Sequence, residues 1–248
     1  MKEARLTHDL AGESFPALTE DGAWCFFADP RAVYWEGEYQ KTYIGWLTRE
    51  GHVMAGSYDH QTGQIASVML KHGLQKDDHA NPAIHIDAEG FVTVYYSAHN
   101  GDHMYYRKSL SPEDISGWGP ERKLVVNTEG RFGFTYPNPV YLLSEAKQFL
   151  FWRGGDFKPN YSQCSHEGEW EPARTLIQGS GARPYIKYAT DSNEKIYFAF
   201  TDGHPNVEPA NSIYCAYYSQ GLYLSSGRNP HKGYLAPAFE PCRGARRL

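Results

Sequence analysis

The chain has 248 residues, enough for one large domain or two small ones with a sizeable hydrophobic core. Aromatic residues make up 15% of the chain, 19 of them tyrosine, and glycine and proline are scattered along it, which favours strands joined by turns. The net charge of −5 and the lack of a basic stripe argue against nucleic acid as a partner, and no apolar run is long enough to span a membrane.

An internal repeat organises the sequence. Four segments share a proline near the start of a short strand, a polar turn, and then a strongly apolar and aromatic strand. The proline fits the first residue of a strand, since that residue can do without an N–H donor. Third and fourth strands follow in each repeat. The repeats begin at residues 29, 81, 138 and 183, and their prolines are Pro30, Pro82, Pro139 and Pro184.

A repeat of about 50 residues with several strands is typical of the blades of a β-propeller. The predicted fold is all-β, a β-propeller of four-stranded antiparallel blades over residues 1–228, with about four to five blades present. The sequence leaves two alternatives. The blades form a complete small propeller, or they are part of a larger propeller that is cut short. One helical turn is predicted at 111–114 (Ser-Pro-Glu-Asp), which has N-cap and N1 chemistry. Residues 229–248 break the repeat and predict an irregular tail.

Polar side chains recur at matching positions of the repeats. His99 and Arg153 directly follow long apolar strands, and His79 and Tyr136 precede the Asn-Pro pairs of the second and third repeats. Equivalent positions of successive blades meet at one end of a propeller's channel, so we expect these side chains to share a pocket. Each alone has a simpler interpretation, as a solvated loop residue or, for Tyr136, a core aromatic.

An imidazole, a phenol and a guanidinium together suit β-elimination at a uronate sugar. A histidine can remove the C5 proton near neutral pH, an arginine can neutralise the carboxylate as negative charge develops, and a tyrosine can protonate the O4 leaving group. No carboxylate pair with the arrangement of a glycosidase stands out, because Asp77 and Asp78 are adjacent in one loop.

The sequence resembles the BNR-4-type repeat proteins, a group that contains the β-propeller ulvan lyases. The resemblance covers roughly residues 25 to 228. It rests on four segments in the family's order, DDHANPAI at 77–84, YPNP at 136–139, FWRG at 151–154 and FTDGHP at 200–205. Propellers of the family are usually longer and seven-bladed, so the resemblance adds a truncated seven-bladed propeller to the two forms left open above.

The resemblance also implies site residues. The lyase site of the family uses two histidines, a tyrosine and an arginine, which match His79, His99, Tyr136 and Arg153, plus a second tyrosine. That second tyrosine is best matched by Tyr188, with Tyr185 close behind. His79 or Tyr136 would abstract the C5 proton while the other acts as the acid, Arg153 would neutralise the uronate, and His99 and Tyr188 would orient the substrate. The predicted substrate-binding residues are Tyr188, Asn81, Asn138 and Trp152.

The predicted function is therefore a polysaccharide lyase acting on ulvan or a similar uronate-containing polysaccharide. Elimination needs no cofactor, although His204 and Cys215 are of zinc-compatible types and lie on consecutive strands of one blade, so a structural zinc is a further hypothesis. We expect a monomer that binds an acidic polysaccharide. The N-terminus lacks the apolar stretch of a signal peptide, while the resemblance implies secreted or periplasmic placement.

Two alternatives remain from the sequence. A non-catalytic carbohydrate-binding propeller would keep the aromatic surface and Arg153 without turnover. A glycoside hydrolase of the sialidase or arabinanase type would need carboxylates that point into the channel, for which Asp29, Asp78 and Asp202 are the candidates at repeat edges.

Overall fold

The computed structural model describes residues 17–124, 127–165, 168–179 and 183–225. In this part of the chain the regular structure is β-strand, apart from three single-turn 3₁₀ helices at Asp78–Ala80, Leu143–Glu145 and Gly155–Phe157. No helix within the described ranges is long and apolar enough to cross a membrane. The predicted tail at 229–248 lies outside the described residues.

The described strands form four antiparallel sheets, each built from strands that are consecutive in the sequence. This confirms the all-β fold class and the four-stranded antiparallel blades, while the number of blades in a complete propeller stays a prediction. The strands are β1 Ala32–Glu36, β2 Gln40–Leu47, β3 Val53–Asp59, β4 Ile65–Lys71, β5 Ala83–Ile86, β6 Val92–Tyr96, β7 Met104–Ser111, β8 Asp114–Trp118, β9 Arg122–Leu124, β10 Thr135–Leu142, β11 Lys147–Arg153, β12 Pro159–Ser165, β13 Arg174–Thr175, β14 Ile186–Thr190, β15 Lys195–Thr201, β16 Ile213–Ser219 and β17 Leu222–Ser225.

The sheets run in the orders β1-β2-β3-β4, β5-β6-β7-β8, β10-β11-β12-β13 and β14-β15-β16-β17, with β9 as an additional partner of β7. The predicted helical turn at 111–114 is wrong. Ser111 pairs with Asp114 across a two-residue loop that joins β7 to β8, and Glu113 in that loop has a φ of 53°. Pairing of the two strands therefore fixes this segment as a hairpin turn.

The chain divides into two compact units. Unit 1 contains the described residues up to Tyr96 together with Tyr105–Arg122, and so holds the first two sheets. Its core comes from apolar side chains of β2, β3, β5 and β6, each of which contributes about 1.5–3 kcal/mol on full burial. Members of this core include Tyr43, Leu47, Val53, Ile84, Val92, Val94 and Tyr96.

Unit 2 contains Ser97–Met104 and the described residues from Lys123 onward, and so holds the third and fourth sheets. Its core is strongly aromatic. Phe149 and Phe151 project from one face of β11, and Phe198 meets Phe151 edge to face with ring centroids 6.0 Å apart. The intervening Leu150 and Trp152 are also buried, so β11 is enclosed on both faces.

Proline does not mark the first strand residue in every repeat. Pro139 lies inside β10 and pairs with Leu150 of β11. β10 is the edge strand of its sheet, so it pairs on one side only, and a proline can direct its missing N–H to the unpaired side.

Candidate functional site

Arg153 is the central side chain of the candidate site in unit 2. It is the last residue of β11 and pairs with Thr135 of β10, so the strand ladder fixes its backbone. Nη2 donates to Oδ1 of Asn100 at 3.2 Å and to Oγ1 of Thr135 at 3.5 Å. Both acceptors are neutral, and Arg153 forms no ion pair with a carboxylate of the described residues.

Aromatic rings supply the remaining surroundings of this guanidinium. Its central carbon lies 4.7 Å from the ring centroid of Tyr136 and 5.0 Å from that of Phe157. Burial lowers the pKa of Arg153, the phenols of Tyr136 and Tyr185 oppose that shift, and the charge of Arg183 adds to it. Arginine still stays protonated at neutral pH, so the site carries a desolvated positive charge.

Tyr136 occupies an irregular position in β10. Its φ of 62° lies in the left-handed region, and the pairing of β10 with β11 shifts register between Thr135 and Asn138. A non-glycine residue in that region costs of order 1–3 kcal/mol and persists only where its surroundings hold it. Asn138 provides one such contact, because its Nδ2 donates to the carbonyl of Tyr136 at 2.9 Å. The bulge turns the Tyr136 ring toward Arg153.

A loop that carries His99 docks onto the same part of unit 2. Gly101 and Phe134 exchange backbone hydrogen bonds of 3.0 and 2.7 Å, and the backbone N of Asn100 donates to Oγ1 of Thr135 at 2.8 Å. Asn100 has a φ of 59°, which asparagine tolerates better than most residues. The half-buried His99 therefore directly precedes the residue that binds Arg153.

A second arginine extends this cluster. The guanidinium carbon of Arg183 lies 4.4 Å from the centroid of the Phe157 ring, which also contacts Arg153 and stacks with Phe132 at 3.8 Å. Phe157 itself has a φ of 59°. Two positive charges thus share one aromatic ring, and Arg183 is exposed.

The two tyrosines proposed for one role occupy different environments. Tyr188 lies on β14, packs against the core of unit 2 and stacks on Phe151 at 4.5 Å. Its hydroxyl is enclosed and has no hydrogen-bond partner among the described residues, and burial raises the pKa of Tyr188. Tyr185 is half-buried, precedes β14 and acts electrostatically on Arg153. The structure therefore gives Tyr188 a packing position and places Tyr185 beside the arginine.

His79 lies in unit 1, on the 3₁₀ turn Asp78–Ala80. Asp77 caps this turn, since Oδ1 accepts from the backbone N of His79 at 3.0 Å and lies 2.5 Å from its Nδ1. Asp78 is also within 3.1 Å of Nδ1. A carboxylate at Nδ1 holds the proton there in the neutral ring and leaves the lone pair on Nε2. The side chain is 38% exposed. The predicted convergence of His79 with the residues of unit 2 stays a prediction.

Three predicted substrate-binding residues lie in the interior. Asn81 is fully buried and accepts from the backbone N of Cys25, Asn138 supports the backbone of Tyr136, and Trp152 donates from Nε1 to Asn127 at 2.9 Å. These contacts engage the three side chains within the fold, and direct contact with a substrate stays a prediction. Asn138 remains relevant as a support of Tyr136.

Within the described residues, the zinc hypothesis gains no third ligand for His204 and Cys215. Cys215 is on the exposed face of β16, and Nδ1 of His204 accepts from the backbone N of Asn206 at 3.1 Å. Within the described ranges, no group of three metal-ligating side chains includes either residue. A structural zinc at this position stays a prediction.

The carboxylates that a glycoside hydrolase would need each contact a nearby residue of the same unit. Asp29 forms an ion pair with Arg31, and Asp202 accepts from the backbone N of Ser212 and from the Tyr214 hydroxyl. Asp78 contacts His79. Each of the three carboxylates therefore has at least one partner among the described residues.

Sequence reasoning missed Asn100, Thr135 and Phe157 as parts of the arginine site. Asn100 directly follows His99, and Thr135 directly precedes Tyr136, so both stood beside residues that were singled out. Phe157 had no such signal, because a left-handed backbone turn at Asp156 and Phe157 brings its ring to the arginines.

The chain is similar to several proteins that are named as polysaccharide lyases. It is 26% identical over 161 residues to "Ulvan Lyase-PL25" from Pseudoalteromonas sp. (strain PLSV), an alignment that covers 56% of this chain and 30% of that protein. The solved structure of the PL25 ulvan lyase bound to -[GlcA(1-4)Rha3S]- matches with a TM-score of 0.63 at 18% identity, over 82% of this chain and 54% of that one. The polysaccharide lyase Uly1 matches with a TM-score of 0.52 at 16% identity, over 88% of this chain and 57% of that one.

The two solved lyases share the fold at low identity, and the chain spans about a third to just over half the length of these relatives. Residues 41–230 match the model of the BNR repeat-containing family. That match extends over more than half of the sequence and over all four sheets, and the chain therefore belongs to the BNR repeat-containing family.

Proposed function

We propose that the chain is a polysaccharide lyase that cleaves a uronate-containing polysaccharide, ulvan or a close analogue, by β-elimination. The relatives that carry ulvan lyase names support the reaction class. A polymer of this kind is outside the cell, so secreted or periplasmic placement accompanies the proposal.

The single observation that carries the proposal is the environment of Arg153. A buried charge normally pairs with an opposite charge, because desolvation is costly. Arg153 instead meets neutral groups, namely the oxygens of Asn100 and Thr135, a hydrogen bond with the Tyr136 side chain, and the faces of two rings. Such a guanidinium is suited to an external anion, and a carboxylate matches its paired N–H groups.

Neutralisation of the uronate carboxylate is what the elimination requires first. Removal of the C5 proton places negative charge on the carboxylate, and the electron pair then forms the C4–C5 double bond as the C4–O4 bond breaks. A positive group in a low-dielectric site stabilises this charge more than water does. Arg153 fills that role in the proposal.

His79 and Tyr136 are the proposed base and acid. One removes the C5 proton, and the other gives a proton to O4 of the leaving sugar. The contact of Asp77 with Nδ1 supports His79 as a base that acts through Nε2. The phenol of Tyr136 stands against the guanidinium that would bind the uronate, which supports its action near C5 or O4.

We assign the second tyrosine of the site to Tyr185 rather than Tyr188. The phenol of Tyr185 raises the pKa of Arg153, whereas the Tyr188 hydroxyl is enclosed in the core of unit 2. His99 keeps its proposed role in orienting the substrate, supported by its position next to Asn100.

Incubation of the purified chain with ulvan tests the proposal. We expect the ultraviolet absorbance of an unsaturated uronate to rise with time, and a neutral polysaccharide at equal concentration to give no rise. Release of reducing ends without the chromophore would indicate a hydrolase. Saturable binding by a folded sample, with neither signal at any of several pH values and salt concentrations, would indicate a binding propeller and overturn the proposal.

A further inference from the structure

Arg183 is packed against the candidate site of unit 2 without a partner of opposite charge. Its guanidinium carbon lies 4.4 Å from the centroid of the Phe157 ring. The side chain is exposed, and no carboxylate of the described residues forms an ion pair with it. An exposed arginine ordinarily extends its charged end into water, whereas Arg183 is held at an aromatic ring.

The backbone around Arg183 is fastened on both sides. Arg183 itself has a φ of 58°, in the left-handed region. Before it in the chain, Nζ of Lys158 donates to the carbonyl of Gly179 at 2.6 Å. After it, the backbone N of Tyr185 donates to Oγ1 of Thr201 at 3.1 Å, and the backbone N of Thr201 donates to the Tyr185 carbonyl at 3.0 Å. A non-glycine residue keeps a left-handed backbone only where its surroundings hold it, and such residues concentrate at ligand sites.

Two positive charges are thereby held close together. The guanidinium carbon of Arg153 lies 5.0 Å from the centroid of the same Phe157 ring, so its distance from that of Arg183 cannot exceed the sum of the two values. Burial lowers the pKa of Arg153, and the charge of Arg183 lowers it further. Like charges repel, and the repulsion is stronger where a guanidinium is removed from water. The arrangement is therefore unfavourable by itself, and an anion at each guanidinium relieves it.

We propose that Arg153 and Arg183 form a two-anion site, in which Arg183 binds a second anionic group on the sugar next to the uronate. The inference rests on the proposed function, in which Arg153 binds the uronate carboxylate. The second group is a sulfate ester or a further carboxylate, since both present oxygens that match the paired N–H groups of a guanidinium. The substrate class is thereby narrowed to polysaccharides with anionic groups on two adjoining sugars.

The two arginines have different parts in this site. Arg153 is largely buried, so its charge acts in a low-dielectric position on the group that changes during elimination. Arg183 is exposed, and its anion gains no charge in the reaction. Loss of Arg183 should therefore weaken binding and leave the chemical step unaltered.

Isothermal titration calorimetry of the full chain with three disaccharides tests the inference. The probes are the methyl glycosides of GlcA(1-4)Rha, with one anion, and of GlcA(1-4)Rha3S and GlcA(1-3)GlcA, with two. No uronate in them carries a sugar at O4, so elimination does not consume them and binding is measured apart from turnover. We expect at least one of the doubly anionic probes to bind about tenfold or more tightly than the singly anionic one.

The two doubly anionic probes separate the sources of the second anion. A preference for GlcA(1-4)Rha3S alone identifies a sulfate ester, and a preference for GlcA(1-3)GlcA alone identifies a second carboxylate. Equal affinity of all three probes for the wild-type chain, or no measurable binding of either doubly anionic probe, overturns the inference.

Variants of Arg183 with a matched control locate the second anion. Arg183→Gln keeps a polar side chain and removes the charge, so the three probes should bind within about twofold of one another. Arg183→Asn should give the same result, and asparagine tolerates the left-handed backbone of this position. Arg174→Gln is the control, because Arg174 is an exposed arginine of unit 2 that pairs with Glu171, and it should keep the wild-type preference.

Circular dichroism shows whether each variant is folded. An undiminished preference for the doubly anionic probe in either folded Arg183 variant overturns the inference. Failure of the lyase proposal is a different result, the absence of the chromophore from ulvan, and it leaves the preference among the probes measurable. A chain that cleaves ulvan yet binds all three probes equally keeps the lyase proposal and loses the two-anion site.

Discussion

Replacement of Arg153 by methionine separates a functional charge from a structural one. Methionine keeps much of the length and apolar volume of the arginine stem and removes the guanidinium. We expect Arg153→Met to lower kcat/KM on ulvan by about a thousandfold or more, because a bidentate, charge-assisted contact to the developing carboxylate charge is lost.

The stability effect follows from the contacts of Arg153. One good hydrogen bond to Asn100 and a marginal one to Thr135 contribute about 0.5–1.5 kcal/mol. Contacts with the rings of Tyr136 and Phe157 add about 0.5–1 kcal/mol each. Against these, Nε is buried without a partner, which costs about 1–3 kcal/mol. The terms partly cancel, so the free energy of unfolding should fall by no more than about 2.5 kcal/mol.

Urea denaturation and initial rates of chromophore formation measure the two effects on the same preparations. Arg174→Met is the control, since Arg174 is an exposed arginine of unit 2 paired with Glu171, and such pairs contribute about 0–1 kcal/mol. It should leave both activity and stability close to wild type. A loss of several kcal/mol in Arg153→Met, or activity near wild type in the folded variant, would refute the functional assignment of this charge.

Three further perturbations address the site and the fold. Tyr136→Phe should lower kcat about 10²- to 10⁴-fold, because the proton donor is lost. The urea midpoint should stay near that of the wild type, because the ring stays over Arg153. Unaltered turnover would show that the hydroxyl takes no part in the reaction. Asn138→Ala should lower the free energy of unfolding by about 0.5–1.5 kcal/mol, because it removes the hydrogen bond that Asn138 Nδ2 donates to the Tyr136 carbonyl. An unaltered urea midpoint would contradict this support. Burial lowers the pKa of His85 from 6.5 to about 4 in the folded chain, Asp87 opposes this shift, and Lys108 adds to it. Above pH 6.5, His85 is therefore neutral in both the folded and the unfolded chain. Below pH 6.5 the unfolded chain binds the proton before the folded chain does, so the free energy of unfolding falls toward pH 4 by up to about 3 kcal/mol. His85→Gln should remove this pH dependence. Identical pH profiles of stability for the wild type and the variant would disprove the prediction.

The sheet architecture was predictable because the strands of each repeat have strongly apolar and aromatic sequences. Residues Phe149 to Trp152 form an apolar run, and all four side chains are buried on the two faces of β11. The hairpin at 111–114 was not, since Ser, Pro and Asp serve turns as readily as helix caps. Pairing of β7 with β8 decides between them, and that contact is not visible in the local sequence.

The repeats indicate where along the sequence candidate site residues stand, but they do not indicate the direction of the side chains. Repeat equivalence identified Asn81, Asn138 and Trp152, yet all three point into the fold. The alternation of side chains along a strand also bears on the choice between Tyr188 and Tyr185 as the second tyrosine of the site. Tyr188 shares a strand face with the core residue Ile186, two positions before it, and strand alternation assigns both to the interior.

Mass spectrometry of the oligosaccharides released from ulvan tests the lyase proposal most directly. Elimination leaves a new non-reducing end that is one water lighter than the end left by hydrolysis, and the proposal predicts this lighter product from the wild-type chain and its near absence with folded Arg153→Met. Fully hydrated products, or lighter products formed equally well without the guanidinium, would contradict it.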